Sequence, residues 1–218
     1  MAVATPIWDL PLRLFKWGFA ISVLGAILTA RDGDMERHAQ FGFAAMALVL
    51  FRVIWGVIGS ETARFVQFVK GPAAIRAYLG EGAWSGIGHN PLGALSILAL
   101  LALVAFKFTT GIFANDDIFY DGPWAGWAGK ATSDWLTGLH HDATWPLYAL
   151  IALHLAAVFW HTGKGDNLIG PMIGGMKPLE GAAAEAGARL AWAPAIWAVP
   201  ALAAGVLVAG AAMRYWLL

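Results

Sequence analysis

Five long apolar stretches constrain the fold of this chain more than any other feature of its sequence. Hydrophobic residues make up 59% of the chain and charged residues only 13%, a composition far from that of a soluble domain. Most of the stretches are long enough for a helix to cross a bilayer core about 30 Å thick, and the short first and fourth stretches need their polar flanks to do so. The sequence therefore predicts an all-α membrane protein with five transmembrane helices. The stretches are residues 14–30, 41–58, 92–113, 145–160 and 191–212.

The lack of cysteine limits which redox centres the chain can hold. It excludes disulfides, iron–sulfur clusters ligated by cysteine and covalent attachment of a c-type haem, so any haem must be bound non-covalently. No zinc pattern, nucleophile elbow, phosphate-binding loop or dinucleotide fingerprint occurs in the sequence either, and nothing in it predicts nucleic-acid binding. We therefore do not expect catalysis by side chains alone.

The distribution of lysine and arginine predicts the orientation of the helices. The first stretch lacks a small-residue cleavage site, so we expect a retained helix rather than a secretion signal. If the N-terminus is cytoplasmic, eight basic residues fall on the inner side and four on the outer side, as the positive-inside rule requires. The loop at residues 114–142 agrees, because it carries five aspartates against one lysine. The inner residues are Arg13, Lys16, Arg64, Lys70, Arg76, Lys164, Lys177 and Arg189, and the outer ones are Arg31, Arg37, Lys130 and Arg214.

Three histidines lie where ligands of a membrane-embedded metal centre are expected. His140 and His154 are fourteen residues apart around the fourth stretch, which is about 21 Å along a helix, and four turns bring both side chains to nearly the same face. The predicted orientation places His38 at the outer end of the second helix, at the depth of His140. Because ionisable residues inside a membrane are costly and usually functional, the spacing suggests two stacked haems rather than one catalytic site.

The segment that leads into the first helix resembles a known family. Residues 7–17 read Ile-Trp-Asp-Leu-Pro-Leu-Arg-Leu-Phe-Lys-Trp. This looks like the W-D-x-x-x-R-x-F-H-W opening of bacterial cytochrome b561 proteins and of the cytochrome b subunit of nickel–iron hydrogenases, with Lys16 where the family has His. The resemblance extends from Trp8 to about Lys177. It is also carried by His38-x-x-x-Gly42, by residues 50–60 and 88–93, and by Leu139-His140 and Leu153-His154.

The resemblance implies a four-helix haem-binding transmembrane bundle over residues 1–177, with two b-type haems. One haem would be held by His38 and His140. The other would use His154 together with the first-helix position that Lys16 occupies here. A protein of this family would carry electrons in the bacterial inner membrane, with its N-terminus in the cytoplasm and its C-terminus in the periplasm in the orientation predicted above.

The last part of the chain lies outside this resemblance. Residues 178–190 are rich in alanine and glycine and predict a linker. Residues 191–218 contain the fifth apolar stretch and predict an additional C-terminal transmembrane helix. Ala201, Gly205 and Ala209 have a spacing suited to close helix contact, and the stretch carries no ligand-type residue.

Lys16 leaves three alternatives for the inner haem. It can ligate the iron opposite His154, but only as a neutral amine, and deprotonating a free lysine at pH 7 costs about 4.6 kcal/mol. It can instead pair with a haem propionate while His154 binds the iron alone, or the inner haem can be absent. His161, one heptad beyond His154, is a further candidate ligand, although an interfacial role beside Lys164 is the simpler interpretation.

Three other polar residues are expected near the haems. Arg52 lies fourteen residues after His38, at the depth of the inner haem, where its guanidinium can bind a propionate or extend to the headgroups. Lys107 lies close to the depth of the outer haem and is expected to extend to the membrane surface. His89 is expected to cap the third helix, with contact to the inner haem or to a quinone headgroup as the alternative.

Two classes of function remain. The first is an electron-transfer cytochrome, alone or as the membrane subunit of a larger oxidoreductase, with membrane lipid, a quinone and either a periplasmic cytochrome c or another subunit as partners. The second is a non-redox structural or assembly subunit that keeps the bundle and has lost one or both haem sites. The aspartates of the outer loop lie among Tyr120 and three tryptophans just before His140, which favours a basic electron carrier or marks an ordinary interfacial belt.

Overall fold

Five helical segments in the computed structural model are long and apolar enough to cross a membrane. The structure describes residues 2–81, 84 and 86–213, and within them the prediction of an all-α membrane protein with five spans is confirmed. The spans are formed by α1 (Leu10–Arg31), α2 (Met35–Ile58), α3 (Pro91–Gly111), α4 and α5 (Lys130–Asp142 and Thr144–Gly163) and α6 (Ala198–Met213).

Polar residues at the helix starts explain why α1 and α2 begin before the apolar stretches. The side-chain Oδ1 of Asp9 accepts a hydrogen bond from the backbone N–H of Leu12 at 2.7 Å, so α1 begins at Leu10 rather than at residue 14. Asp34 accepts one from the N–H of Arg37 at 3.0 Å and starts α2. Between these helices Gly33 adopts a φ of 76°, a left-handed conformation that suits the end of a helix.

The fourth span is a helical region of 34 residues, Lys130–Gly163, and is much longer than the predicted stretch at residues 145–160. Ala143, between α4 and α5, has φ −67° and ψ −9°, which keeps the chain close to helical geometry. Its N–H donates to the carbonyl of Leu139 at 3.1 Å and its carbonyl accepts from Leu147 at 3.2 Å. His140 therefore lies on α4, and His154 lies on α5.

The chain divides into two compact units, of which the first comprises Met1–Lys16, Arg52–Ala99 and Ala152–Ala201. In it, β1 (Val3–Pro6) pairs antiparallel with β2 (Met176–Leu179). These strands are too short to have been predicted from the sequence. The unit also contains helices Phe65–Phe68, Pro72–Glu81, Ile169–Gly174 and Gly181–Ala188 and the 3₁₀ turns Glu61–Ala63 and Ala195–Trp197.

The predicted linker at residues 178–190 is ordered and packed within this first unit. It contains the end of β2 and the helix Gly181–Ala188. Gly187 lies so close to the side chain of Thr5 that a Cβ at this position would collide with it. The helix is therefore held against β1, and the segment is a structured connection to α6.

The second unit comprises Trp17–Phe51, Leu100–Ile151 and Leu202–Leu218 and includes the short helix Ala125–Ala128. In it, Gly205 of α6 packs directly on the backbone carbonyl of Ala47 in α2, with no room for a Cβ. Ala209 is buried with Phe43 and Ala47 in one apolar cluster. The close helix contact predicted from the small residues of the fifth stretch is thus present, and it joins α6 to the helix that carries His38.

Candidate functional site

The second unit brings His38 of α2 and His140 of α4 together, and we refer to them as the paired-histidine site. Their ring centroids are 5.9 Å apart and their planes make an angle of 88°. Bonds between a metal ion and imidazole nitrogens are about 2 Å long, so two rings at this separation can ligate one ion between them. The equal depth predicted for these two residues agrees with this contact.

Each ring of the paired-histidine site is held through its Nδ1 atom by a backbone carbonyl. Nδ1 of His38 lies 2.8 Å from the carbonyl oxygen of Ala26, and Nδ1 of His140 lies 2.9 Å from that of Lys107. A carbonyl only accepts hydrogen bonds, so Nδ1 carries the proton and Nε2 carries the lone pair. Across the described residues Nε2 of either ring has no hydrogen-bond partner. Both imidazoles are thus in the tautomer that leaves Nε2 able to bind a metal ion.

Lys107 binds His140 a second time, through its side chain. Its Nζ donates to the backbone carbonyl of His140 at 2.7 Å and to Oγ1 of Thr144 at 2.8 Å. The prediction that Lys107 extends to the membrane surface is therefore wrong. Its hydrogen-bonding needs are met inside the protein, and the residue links α3 to the junction of α4 and α5.

Gly111, one turn after Lys107 on α3, provides the space for the His140 ring. A Cβ at this position would lie 2.9 Å from Cε1 and 3.0 Å from Nδ1 of His140, closer than carbon and nitrogen atoms pack. Sequence reasoning placed Lys107 close to the depth of the outer haem but missed its contacts with His140, and it missed Gly111. The only signal was the spacing of Lys107 and Gly111, which places them on one helix face.

His154 and His161, on α5 in the first unit, have side-chain partners instead. Nδ1 of His154 lies 3.0 Å from Oγ of Ser96. A hydroxyl can donate or accept, so this bond orients the ring without fixing its tautomer. Nε2 of His161 lies 3.4 Å from the Tyr78 hydroxyl.

A group of aromatic and basic side chains in the first unit surrounds Lys16, and we refer to it as the Lys16 cluster. Nζ of Lys16 lies 3.6 Å from the ring centroid of Trp8. The Trp8 ring packs on His89 with centroids 4.6 Å apart, and His89 packs on Phe68 at 5.2 Å. The members of the cluster are Trp8, Lys16, Arg52, Phe65, Phe68 and His89.

The prediction that His89 caps α3 is wrong. Asn90 has that role, since its Oδ1 accepts a hydrogen bond from the N–H of Gly93 at 2.7 Å. Nδ1 of His89 is buried and has no hydrogen-bond partner in the described part of the chain. Burial, and then the positive charges of Lys16 and Arg52, lower the pKa of His89 well below its usual value. The imidazole is therefore neutral at pH 7, with an unused polar atom inside the protein.

Arg52 is the most deeply buried charged residue of the cluster, with 1% of its surface exposed. Its guanidinium lies 4.5 Å from the ring centroid of Phe65, and among the described residues neither terminal nitrogen has a hydrogen-bond partner. The nearby carboxylate of Asp9 is already used by the N–H of Leu12 at 2.7 Å and by Nε1 of Trp55 at 2.9 Å. Arg52 thus does not extend to the headgroups, and its buried donors fit an anionic group.

The loop at residues 114–142, which was predicted to lie on the outer side, is less acidic in effect than its sequence suggests. Oδ1 of Asp116 accepts hydrogen bonds from three successive backbone N–H groups at 2.8–2.9 Å, which lower the pKa of this carboxyl. Lys130 pairs with Asp117 at 2.5 Å and also with Asp134. Large apolar side chains are exposed beside them, with Phe119 97% and Trp127 83% exposed. The surface therefore combines aromatic groups with partly neutralised aspartates.

The donor set of the paired-histidine site fits a haem iron. Within the described residues, no group of three or more His, Cys, Asp or Glu side chains could hold a bare metal ion. Two opposed imidazoles are sufficient for a haem, because the porphyrin supplies the other four nitrogens.

Comparison with known proteins agrees with this geometry. A family model described as prokaryotic cytochrome b561 matches residues 7–175. The chain belongs to this family. As a member of the cytochrome b561 family it is a multi-pass membrane protein of the haem b electron-transfer class, and the paired-histidine site, the Lys16 cluster and His154 all lie inside the matched residues.

Two curated relatives of this cytochrome b561 family member are each 26% identical to it over 216 aligned residues. They are named probable Ni/Fe-hydrogenase B-type cytochrome subunits, from Azotobacter chroococcum mcd 1 and Azotobacter vinelandii. In each case the alignment covers 80% of this chain and 88% of the relative. No solved structure gives a significant match.

Proposed function

We propose that the chain is a membrane cytochrome that passes electrons between membrane quinone and a redox partner on the periplasmic side. The observation that carries the proposal is the paired-histidine site, in which two opposed imidazoles have their Nδ1 atoms anchored and their Nε2 atoms available. Haem b supplies one-electron redox chemistry when bound there. With His38 and His140 as its two imidazole ligands, the iron of such a haem would have no open position, which suits electron transfer rather than binding of a substrate.

The residues of the chain have three tasks at this site. The carbonyls of Ala26 and Lys107 hold the two rings in their orientation, and hydrogen bonding to Nδ1 makes each imidazole a stronger ligand. The Lys107 side chain ties the His140 backbone to α3. Gly111 keeps the space beside the ring open. A rigid arrangement of this kind keeps the ligand geometry similar in the oxidised and reduced states.

A second haem is proposed at His154, in the unit that contains the Lys16 cluster. Arg52 and His89 offer buried polar atoms without hydrogen-bond partners in the described residues, which suits contact with a cofactor carrying oxygen groups. We assign Arg52 to the second haem and His89 to this haem or to a quinone oxygen.

We also propose that the chain works as the membrane subunit of a larger complex. The names of the two curated relatives support this proposal. The exposed aromatic side chains of the outer loop, together with the pairing of Lys130 to two aspartates, favour a partner subunit over a strongly basic soluble cytochrome c.

The visible spectrum of the purified protein tests the proposed function. We expect sharp bands typical of bis-axial haem b on reduction, and we expect a short-chain quinol to reduce this haem in protein reconstituted into vesicles. A non-redox structural subunit is the competing function, and the replacement of the family histidine by Lys16 favours it. A protein purified from haem-sufficient cells without such bands would support that alternative and contradict the proposal.

Orientation in the inner membrane is tested by reporter fusions. Since eight of the basic residues lie on the proposed inner side, we expect a reporter fused after Lys70 to be cytoplasmic and one fused at Leu218 to be periplasmic. Alkaline phosphatase and a fluorescent protein, which are active on opposite sides, should give complementary signals at both positions. Activity on the same side at both positions would contradict the proposed orientation.

A further inference from the structure

The Lys16 cluster contains more positive than negative charge, although it is buried. Lys16 and Arg52 are close enough to repel each other, and Asp9 is the carboxylate that attracts both. Both oxygens of Asp9 already accept hydrogen bonds, from Leu12 and Trp55. Burial of an uncompensated cation is strongly unfavourable. An anionic group in contact with this cluster would remove that cost.

The contact between Lys16 and Trp8 favours the charged form of the lysine amine. Nζ lies 3.6 Å from the centroid of the Trp8 ring, and the face of an indole attracts an ammonium rather than a neutral amine. The Trp8 ring is buried, and its backbone N–H donates to the carbonyl of Gly175 at 3.2 Å, so the ring is held in place. An iron ligand would need the lone pair of the neutral amine, which this contact does not favour.

Arg52 offers hydrogen-bond donors with a more specific geometry than the ammonium group of Lys16. Both terminal nitrogens of its guanidinium are buried without a partner among the described residues, and its planar fork matches the two oxygens of a carboxylate. The aromatic contact with Phe65 holds the plane of the fork. An unpaired buried guanidinium of this kind is rare in folded proteins.

From these contacts we infer that Arg52 and Lys16 form a buried carboxylate-binding site, and that Lys16 is a cation of this site rather than an iron ligand. The inference rests on the proposed second haem, whose propionates are the carboxylates that it binds. His154 is then the single imidazole ligand of that iron. The replacement of the family histidine by Lys16 thus changes the coordination of the second haem from two imidazoles to one.

The experiment compares a substitution of Lys16 that keeps its positive charge, Lys16→Arg, with one that removes it, Lys16→Leu. They are made in a His140→Ala protein, where the remaining haem is that of His154. Arginine keeps the positive charge but cannot ligate iron, so Lys16→Arg should leave the haem content and the ferric electron paramagnetic resonance signal unchanged. Leucine has neither a charge nor a ligating atom, so Lys16→Leu should lower the haem content and the midpoint potential of the haem that remains, because a positive charge beside a haem favours the reduced state. Equal loss of a six-coordinate low-spin signal in both variants would show that the amine ligates iron and overturn the inference.

Two controls complete the design. Lys164 has a similar contact, with its Nζ 5.1 Å from the Trp160 ring, but it lies outside the cluster, so Lys164→Leu should change neither readout. Reconstitution with haem whose propionates are esterified should leave the His154 site empty while the intact His38 and His140 pair still binds it in the parent protein. If the esterified haem fills the His154 site as well as ordinary haem does, the carboxylate assignment is wrong.

The result also separates this inference from the proposed function. A parent protein without any haem overturns the proposed function itself. A parent protein with a single haem that disappears in His140→Ala leaves the proposed function intact and overturns only the site described here. Substitution of Arg52 tests the other half of the site: Arg52→Gln removes both the charge and the planar fork, and it should weaken haem retention at His154. If this variant proves unstable, Arg52→Lys keeps the charge while removing the fork, and it should also weaken haem retention at His154.

Discussion

Alanine in place of His140 is expected to remove about one haem per chain, and alanine in place of His38 is expected to remove the same haem. Each ring would supply one iron ligand from its Nε2 atom, so removal of either ring would leave a haem at this site with a single imidazole. Haem content per chain, measured as the pyridine complex of the extracted haem, is the readout. The two variants should lose the same spectral component, since they destroy one site from opposite sides.

His141 provides the matched control for this experiment. It follows His140 on α4 but is exposed, and the ring centroids of the two residues are 6.1 Å apart. His141→Ala should therefore keep the full haem content and spectrum. Full haem retention in both His38→Ala and His140→Ala would refute the assignment of the paired-histidine site. Loss of haem in His141→Ala alone would assign the ligand to His141 instead of His140.

Adding a single methyl group at Gly111 is expected to damage the same site without changing a ligand. The new Cβ of Gly111→Ala would lie 2.9 Å from Cε1 of His140, so the ring must move and stretch its hydrogen bond to the carbonyl of Lys107. Loss of such an outer contact usually weakens metal binding about 10- to 100-fold. Titration of the apoprotein with haem should show this loss, together with a shifted low-spin ferric signal.

Gly138→Ala is the corresponding control on α4. A Cβ at Gly138 meets no atom within 4 Å, and alanine favours a helix over glycine by roughly 1 kcal/mol. The control should bind haem as the parent does and unfold at an equal or higher temperature. Unchanged haem affinity in Gly111→Ala would mean that the His140 ring has more freedom than its contacts indicate.

The sequence predicted the spans and the common depth of His38 and His140 better than it predicted the surroundings of these two residues. Apolar length and the depth of His38 and His140 follow from helix geometry and from the distribution of basic residues, both of which can be read along the chain. The partners of the rings cannot be read in this way, because any residue can supply a backbone carbonyl. The prediction that Lys107 extends to the membrane surface failed because its actual partners cannot be read along the chain either. They are a backbone carbonyl of α4 and a hydroxyl of α5.

The short elements were missed for a different reason. β1 and β2 have four residues each, too few for an alternating pattern, and the pairing of Val3 with Leu179 joins distant parts of the sequence. The predicted linker proved to be partly helical because packing of Gly187 against Thr5 stabilises a segment whose composition alone indicates little. The orphaned donors of Arg52 could likewise be recognised only when its neighbours were known.

The histidines of the two sites differ in whether a mutation can remove the group that orients them. His38 and His140 are oriented by the carbonyls of Ala26 and Lys107, which persist whichever side chains mutation places at those positions. His154 is oriented by the hydroxyl of Ser96, which a single codon change can delete. Over evolutionary time the Nδ1 hydrogen bonds of His38 and His140 should therefore survive substitution at the residues that supply the carbonyls, whereas the hydrogen bond of His154 can be lost by substitution of Ser96. The lysine at position 16, within the same unit as His154, is a departure of the kind that this asymmetry permits.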